Sequence, residues 1–184
     1  DDVPDPDYSL LEGKIEYFDY KSHVSVNVVG ENKKRKWAQL ITSRGCPFNC
    51  PYCVAPEFSG NKMRYKDPKK LYSEMRYLYE NYGVTGFIPE DDFFIGTKKR
   101  MTELCDVITS TKIPGIKMTF RNGVNVNTLN EEKIDILVKM GTNSVSVAVE
   151  SGSPYTQKHI IKKNVDLVKA PKVIDYFRLK GIEV

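Results

Sequence analysis

The chain has 184 residues, 40% of them hydrophobic, which is enough to form the core of one domain. Its formal net charge of +4 is mild, so it neither requires nor excludes a nucleic-acid partner. No apolar run approaches the roughly 18 residues of a membrane span, and the acidic N-terminus does not resemble a signal peptide. We therefore expect no membrane-spanning segment in this sequence and no membrane partner.

The N-terminal part of the chain is predicted to be an extension of the core. Residues 1–13 are rich in Asp and Pro, which is typical of a linker with little structure of its own. Alternating valines in His23–Val29 predict a strand, followed by a turn at 30–32. We interpret the basic run at 33–36 as the solvated end of a hairpin, the alternative being a nucleic-acid patch.

These features divide the chain into two parts. Residues 1–36 are expected to form a linker and an N-terminal strand or hairpin extension, and residues 37–184 a core domain. The core is expected to begin with a short apolar strand at 38–42.

Three cysteines follow that strand, in the stretch Cys46-Pro47-Phe48-Asn49-Cys50-Pro51-Tyr52-Cys53. Thiolates so close in sequence can face one soft metal centre, and cysteines are the usual ligands of iron–sulfur clusters. A four-iron cubane held by three cysteines keeps one iron open for another ligand. Cysteines that bind metal as free thiols indicate a reducing compartment, so we expect a cytoplasmic protein.

Two other uses of these cysteines fit the sequence less well. An odd number of crowded cysteines cannot pair into disulfides, since the remaining cysteine is Cys105. A structural zinc site needs four ligands, and the fourth would have to be Cys105, His23 or His159.

Helices and strands alternate after the cysteines. Asp67 and Pro68 predict the start of a helix that ends at Gly83, and a strand is expected at 84–88. The next helix, at 97–110, carries Cys105 on its apolar stripe, which favours a small core residue over a ligand. A third strand is expected at 116–120.

The second half of the core continues the same alternation. Thr128 and Glu131 predict a capping box for a helix that closes at Gly141. The remaining predicted elements are a strand at 144–149, a short helix from Ser153-Pro154, a longer helix ending at Lys180-Gly181 that Pro171 either starts or bends, and the beginning of a fifth strand at 182–184. This order predicts an α/β fold of parallel βα repeats.

Ligands bind at the carboxyl ends of strands in such folds, and several candidate residues lie there. Glu90, Asp91 and Asp92 are consecutive, and their repulsion favours a cation at this position over a solvated acidic loop. Arg121 could pair with a ligand carboxylate or form a salt bridge within the fold. Glu150 ends an apolar strand beside Ser151, where an unpaired carboxylate is costly to bury.

These stretches resemble the radical S-adenosylmethionine (SAM) superfamily. The spacing CxxxCxxC with Tyr52 before the third cysteine resembles its cluster loop. Ser43-Arg44-Gly45, the DDxF stretch from Asp91 and the VESG stretch around Glu150 resemble its cobalamin-binding branch. The resemblance implies an incomplete TIM-like barrel, a partial radical SAM barrel truncated at its C-terminal side, because the sequence stops as the fifth strand begins.

The resemblance also implies cofactors and roles. Cys46, Cys50 and Cys53 would hold a 4Fe-4S cluster whose open iron binds the amino and carboxylate groups of SAM. The other implied SAM contacts are Tyr52, Glu90, Asp91, Asp92, Arg121, Glu150 and Ser151. No catalytic residue is expected beyond the cluster ligands.

The implied activity is reductive cleavage of SAM to a 5′-deoxyadenosyl radical, in a cobalamin-dependent methyltransferase or a related radical enzyme. Cobalamin would be bound by a domain outside this chain. The expected partners are a small-molecule substrate and an electron donor such as flavodoxin or ferredoxin, with no nucleic acid.

Two alternatives remain open at this point. Radical SAM methylthiotransferases, which act on RNA or protein, share Tyr-Cys-Val-x-Pro, present here from Tyr52 to Pro56. The other alternative is a non-enzymatic module that binds zinc or another metal.

Overall fold

The computed structural model describes residues 4–11, 15–19 and 35–184. The predicted strand at 23–29, the turn at 30–32 and the first half of the basic run lie outside the described residues, as does His23.

A parallel sheet forms the centre of the fold. The strands of the described residues are β1 (Lys36–Leu40), β2 (Ser43–Arg44), β3 (Arg64–Tyr65), β4 (Val84–Pro89), β5 (Lys117–Val124) and β6 (Thr142–Val147). The four long strands are parallel in the order β1-β4-β5-β6. A parallel bridge from Ser144 to Glu183 places the predicted fifth strand beside β6. Within the described residues the sheet stays open, so the α/β prediction of an incomplete barrel is confirmed.

Helices connect these strands, with the bounds α1 (Ala55–Ser59), α2 (Pro68–Tyr82), α3 (Lys98–Ser110), α4 (Glu131–Lys139), α5 (Pro154–Thr156) and α6 (Lys169–Leu179). One turn of π-helix, Gln157–Ile161, continues α5. In the part of the chain that the structure describes, no helix has both the length and the apolar character needed to cross a bilayer.

The ends of α2 follow the sequence signals. The Asp67 side chain accepts a hydrogen bond from the backbone N–H of Lys69 at 2.7 Å. Gly83 ends the helix in the left-handed region, with φ 69°, where glycine has no steric penalty. Both predicted boundaries are confirmed.

The predicted capping box of α4 is wrong. Asn130 caps this helix, accepting from the backbone N–H of Lys133 at 2.9 Å, while the Thr128 hydroxyl donates to the Asn125 carbonyl in a preceding 3-10 turn. Asn130 directly precedes the first helical residue and so lies where an N-cap must lie. In α6, Pro171 lies in the first turn, where its missing N–H costs no hydrogen bond.

The core lies between the sheet and helices α2, α3 and α4. These helices contribute the buried side chains Leu71, Met75, Leu78, Met101, Leu104, Ile108, Ile134 and Leu137. Cys105 is buried among them on α3, as predicted. On the sheet itself, the indole of Trp37 is fully buried and lies against the backbone of Gly86 on the paired strand β4.

The N-terminal residues are more structured than their Asp- and Pro-rich composition predicts. Two 3-10 helices, Tyr8–Leu11 and Ile15–Phe18, are formed. The Tyr8 hydroxyl donates to Glu74 of α2 at 2.7 Å, and the Tyr82 hydroxyl donates to the Tyr8 carbonyl at 2.9 Å. Phe18 is buried against the ring of Tyr82. Aromatic anchors therefore order a segment that its composition alone describes as a linker.

We expect Gly86→Ala to destabilise the fold. A Cβ at this position would lie 2.5 Å from the Trp37 ring, so the indole or the strand must move. Overpacking of this kind costs about 2 kcal/mol. Gly152→Ala is the control, because a Cβ there meets no atom within 4 Å. Urea unfolding should show a lower midpoint for Gly86→Ala alone, and equal midpoints would contradict the packing argument.

Candidate active site

The cysteine loop begins at the carboxyl end of β1 and closes on the segment at 60–62. The backbone N–H of Cys46 donates to the Gly60 carbonyl at 3.1 Å. The side-chain amide of Asn61 donates to the carbonyl of Cys46 at 3.3 Å. Gly45 has φ 94°, and a Cβ there would lie 2.5 Å from the Lys62 carbonyl oxygen. The loop therefore requires glycine directly before its first cysteine.

The three cysteines of the loop are free thiols near one another. Cys46 and Cys50 are partly buried and Cys53 is exposed. Burial raises the pKa of the Cys46 thiol, and the negative charges of Cys50, Cys53 and Asp92 raise it further. The backbone N–H of Cys53 donates to the Cys50 carbonyl at 3.0 Å, so these two cysteines share one turn.

Three thiols on one loop are the donor type that iron–sulfur clusters use. Among the described residues, no group of three or more His, Cys, Asp or Glu side chains converges tightly enough to ligate one ion. A cubane does not need such convergence, because each thiolate binds a different iron. The loop after β1 supplies three such thiolates, one for each of three irons.

Glu90 is already paired within the sheet. Its carboxylate accepts from Arg121 Nε at 2.8 Å, from Asn122 Nδ2 at 2.7 Å and from Gln39 Nε2 at 3.1 Å. The guanidinium also forms an ion pair with Glu90 through Nη2. Of the two predicted roles of Arg121, the structure therefore forms the salt bridge within the fold.

Asp91 points into the protein. Its Oδ1 accepts from the backbone N–H of Thr42 at 2.8 Å, and its Oδ2 accepts from the hydroxyls of Thr42 and Ser43, both at 2.6 Å. Only 4% of the residue is exposed. Burial raises the pKa of Asp91, and the hydrogen bonds from Ser43 and Thr42 partly oppose that rise.

Asp92 is exposed, unlike the other two carboxylates, Glu90 and Asp91. Its Oδ2 accepts from the backbone N–H of Gly45 at 3.1 Å, which ties it to the start of the cysteine loop. Within the described residues it has no ion-pair partner. Of the three consecutive carboxylates, it is the one with free capacity for a ligand.

Glu150 joins the loop after β6 to the cysteine loop. Its carboxylate accepts from Lys163 Nζ at 2.7 Å and from the Tyr52 hydroxyl at 3.3 Å. The hydrogen bond from Lys163 is the main reason that the pKa of Glu150 is lowered. Glu150 has φ 66°, an uncommon conformation for a residue other than glycine, of the kind found at functional sites.

Two side chains support this loop. Gln157 is buried and donates to the carbonyls of Val149 at 2.5 Å and Ser151 at 2.7 Å. The Ser151 hydroxyl accepts from the backbone N–H of Ser153 at 3.1 Å. Ser151 therefore serves the turn in this structure.

Sequence reasoning missed the partners of the candidate residues, namely Thr42, Ser43, Arg100, Asn122, Gln157 and Lys163. Only the burial of strand-end carboxylates, which requires polar partners, signals that such residues exist. The other candidate ligands lie elsewhere: Cys105 is in the α3 core, and the ring of His159 packs at a tilt against that of Tyr155.

Several known proteins are similar to this chain in sequence. The sequence profile of the radical SAM superfamily matches residues 40–184. The chain is 30% identical over 168 residues to cytidylyl-2-hydroxyethylphosphonate methyltransferase of Streptomyces wedmorensis, covering 91% of this chain and 30% of that protein. It is 29% identical to bacteriochlorophyllide d C-8(2)-methyltransferase of Chlorobaculum tepidum, covering 79% of this chain and 33% of that protein.

The fold matches as well. The radical SAM methyltransferase TsrM of Kitasatospora setae, solved with cobalamin and a [4Fe-4S] cluster bound, superposes with a TM-score of 0.66 at 16% identity, over 81% of this chain and 30% of that chain. The chain thus spans about a third of the length of the relatives that it matches. The resemblance predicted from the cysteine loop is confirmed at the level of the family.

We expect Lys163→Met to raise the pKa of Glu150 towards its ordinary value of 4.5. A lowered carboxyl pKa stabilises the fold above the unfolded pKa, and this contribution disappears as pH falls through the folded pKa. The stability difference between wild type and Lys163→Met should therefore be largest near neutral pH and shrink in acid. Urea unfolding across pH, with exposed Lys158→Met as the control, measures it. A stability difference of the same size at neutral and at acid pH would contradict the assignment.

Proposed function

This chain belongs to the radical SAM superfamily, and we propose that it is the radical SAM core of a cobalamin-dependent methyltransferase or a related radical enzyme. The proposal rests on one observation. A loop of three free cysteines follows the carboxyl end of a parallel strand and lies beside Asp92, which has no ion-pair partner among the described residues. When bound, a 4Fe-4S cluster and SAM supply reductive carbon–sulfur cleavage, which yields a 5′-deoxyadenosyl radical.

Cys46, Cys50 and Cys53 are the proposed cluster ligands. Their loop is held by backbone hydrogen bonds at Cys46 and by the turn from Cys53 N–H to the Cys50 carbonyl at 3.0 Å. Three thiolates leave one iron open, as SAM chelation requires. The protein's contribution is to fix the thiols and to place SAM beside them.

Asp92 is the proposed partner of the SAM ammonium. It lies beside the cysteine loop and lacks a cationic partner among the residues described. Glu90 and Arg121 are proposed to contact SAM together, as an ion pair. The salt bridge between them neutralises both charges, so neither side chain acts as a separate charge towards SAM. A carboxylate already neutralised by a guanidinium gains less from a second cation than a free one does.

Tyr52, Glu150 and Ser151 are proposed to line the nucleoside side of SAM. The Tyr52 hydroxyl donates to Glu150, so Glu150 lies near the cysteine loop, to which Tyr52 belongs. The Tyr52 ring is half-exposed and available to a ligand. Ser151 follows Glu150 on the loop that Gln157 supports.

Methyl transfer is the reaction that the relatives favour. The names of the first two relatives describe methyltransferases, and TsrM was solved with cobalamin bound. We propose that cobalamin is bound outside this chain and that the substrate is a small molecule. Cyclisation is the second candidate, because 96% of the chain matches the anaerobic magnesium-protoporphyrin IX monomethyl ester cyclase of Cereibacter sphaeroides at 23% identity. The methylthiotransferase and metal-module alternatives are not favoured.

The environment of the enzyme follows from its thiols. Free cysteines of this kind persist in a reducing compartment, and we propose the cytoplasm. A low-potential donor such as flavodoxin or ferredoxin would supply the electron for SAM cleavage.

The cluster assignment is tested by Cys50→Ala in the full-length protein, reconstituted with iron and sulfide without oxygen. Wild type is expected to bind about four irons per chain and, once reduced, to form 5′-deoxyadenosine from SAM. Cys50→Ala should lose the cluster, because two thiolates cannot hold it. Cys105→Ala, in the core of α3, is the matched control and should retain it. Equal iron content in wild type and Cys50→Ala would refute the ligand set.

The ammonium assignment is tested by Asp92→Asn. Asparagine keeps an acceptor for the N–H of Gly45 and removes only the charge. We expect SAM affinity to fall about 10-fold, the effect of losing a charge-assisted hydrogen bond, with iron content unchanged. Equilibrium binding of SAM to the reconstituted protein measures it. Wild-type affinity in Asp92→Asn would exclude this role.

A further inference from the structure

We propose that Asp91 is a positioning residue that fixes the entry of the cysteine loop and does not contact SAM. It acts through Thr42 and Ser43, which lie three and two residues before Gly45. The proposal rests on the proposed function, because it concerns how the chain holds the cluster ligands.

The hydrogen bonds of Asp91 leave no access for a ligand. Both carboxylate oxygens are occupied by donors from Thr42 and Ser43 at 2.6 to 2.8 Å. The residue is almost completely buried, so an ammonium could reach it only after this part of the loop had opened. Asp92, its neighbour, is exposed and faces the N–H of Gly45.

A second charged side chain, Arg100, completes the support. Arg100 of α3 donates from Nη2 to the Thr42 carbonyl at 3.1 Å, while its guanidinium lies 4.7 Å above the ring of Tyr65. The Thr42 carbonyl also accepts from the N–H of Lys66 at 2.9 Å. Both backbone polar groups of Thr42, and its hydroxyl, are therefore held by residues distant in sequence.

This arrangement links the pairing of β1 and β4 to the position of Cys46. The N–H of Glu90 donates to the Leu40 carbonyl at 2.8 Å, which continues the pairing of β1 with β4 and places Asp91 opposite Thr42. Only Arg44 and Gly45 separate the anchored Ser43 from Cys46. The position of Cys46 is thus set by β4 and α3 as well as by its own loop. Side chains that orient metal ligands in this way strongly affect retention of the metal group.

The test compares two buried threonines in the reconstituted full-length protein. Thr42→Val removes the hydroxyl that Asp91 accepts from. Thr142→Val is the matched control, because its hydroxyl donates to the Leu137 carbonyl at 2.6 Å, on the far side of the sheet. With a ferrous chelator added under anaerobic conditions, Thr42→Val should lose its cluster absorbance about 10-fold faster than wild type. Thr142→Val should lose it at the wild-type rate.

Asp91→Asn and Asp92→Asn separate positioning from ligand binding. We expect Asp91→Asn to lose the cluster faster while its loaded fraction binds SAM with wild-type affinity, and Asp92→Asn to behave in the opposite way. The inference is overturned if Thr42→Val and Thr142→Val lose the cluster at equal rates, or if Asp91→Asn weakens SAM binding as Asp92→Asn does. Should Asp91→Asn fail to fold, the threonine pair decides alone. A wild-type protein that takes up no cluster would instead refute the proposed function.

Discussion

The parallel pairing of β1 with β4 is the constraint on which the site depends. It runs from Trp37 opposite Gly86 to Leu40 opposite Pro89, so both strands end at the same edge of the sheet. The residues that follow them, the cysteine loop on one side and three carboxylates on the other, are consequently neighbours. Within this pairing the indole of Trp37 lies directly against Gly86, where no side chain larger than hydrogen fits without movement. A one-residue slip would turn Asp91 away from Thr42 and present its charge to solvent.

Three adjacent carboxylates have three different environments because they follow the end of β4, where the chain bends away from the sheet. Glu90 faces its neighbours along the sheet and is neutralised by Arg121. Asp91 faces inward, where hydrogen bonds from Thr42 and Ser43 replace the water it has lost. Asp92 faces outward and keeps its solvation. Mutual repulsion, the reason for expecting a cation at all three, is largely relieved by the protein itself at two of them.

The parts of this architecture that sequence predicts are those encoded locally. The cysteine spacing, the caps of α2 and the alternation of strands and helices all lie within short windows. The predicted cap of α4 is wrong because Asn130 and Thr128 are both favoured N-cap residues, and only the path of the backbone decides which of them caps the helix. The burial of Asp91 and the pairing of Glu150 with Lys163 depend on contacts across the fold, which no single window contains. The order of the N-terminal segment likewise depends on α2, through Glu74 and Tyr82.

Charge balance connects the site to its proposed ligand. Glu90 is balanced by Arg121, Glu150 by Lys163, and Asp91 lies within the field of Arg100. Among Glu90, Asp91, Asp92 and Glu150, it is therefore Asp92 whose negative charge the described residues leave uncompensated. SAM carries an ammonium, a sulfonium and a carboxylate, a net charge of one positive unit. A ligand with that charge completes the balance, whereas a neutral ligand leaves Asp92 unpaired and an anionic one adds repulsion. We propose that Asp92, which also holds the start of the cysteine loop, favours a positively charged ligand beside that loop.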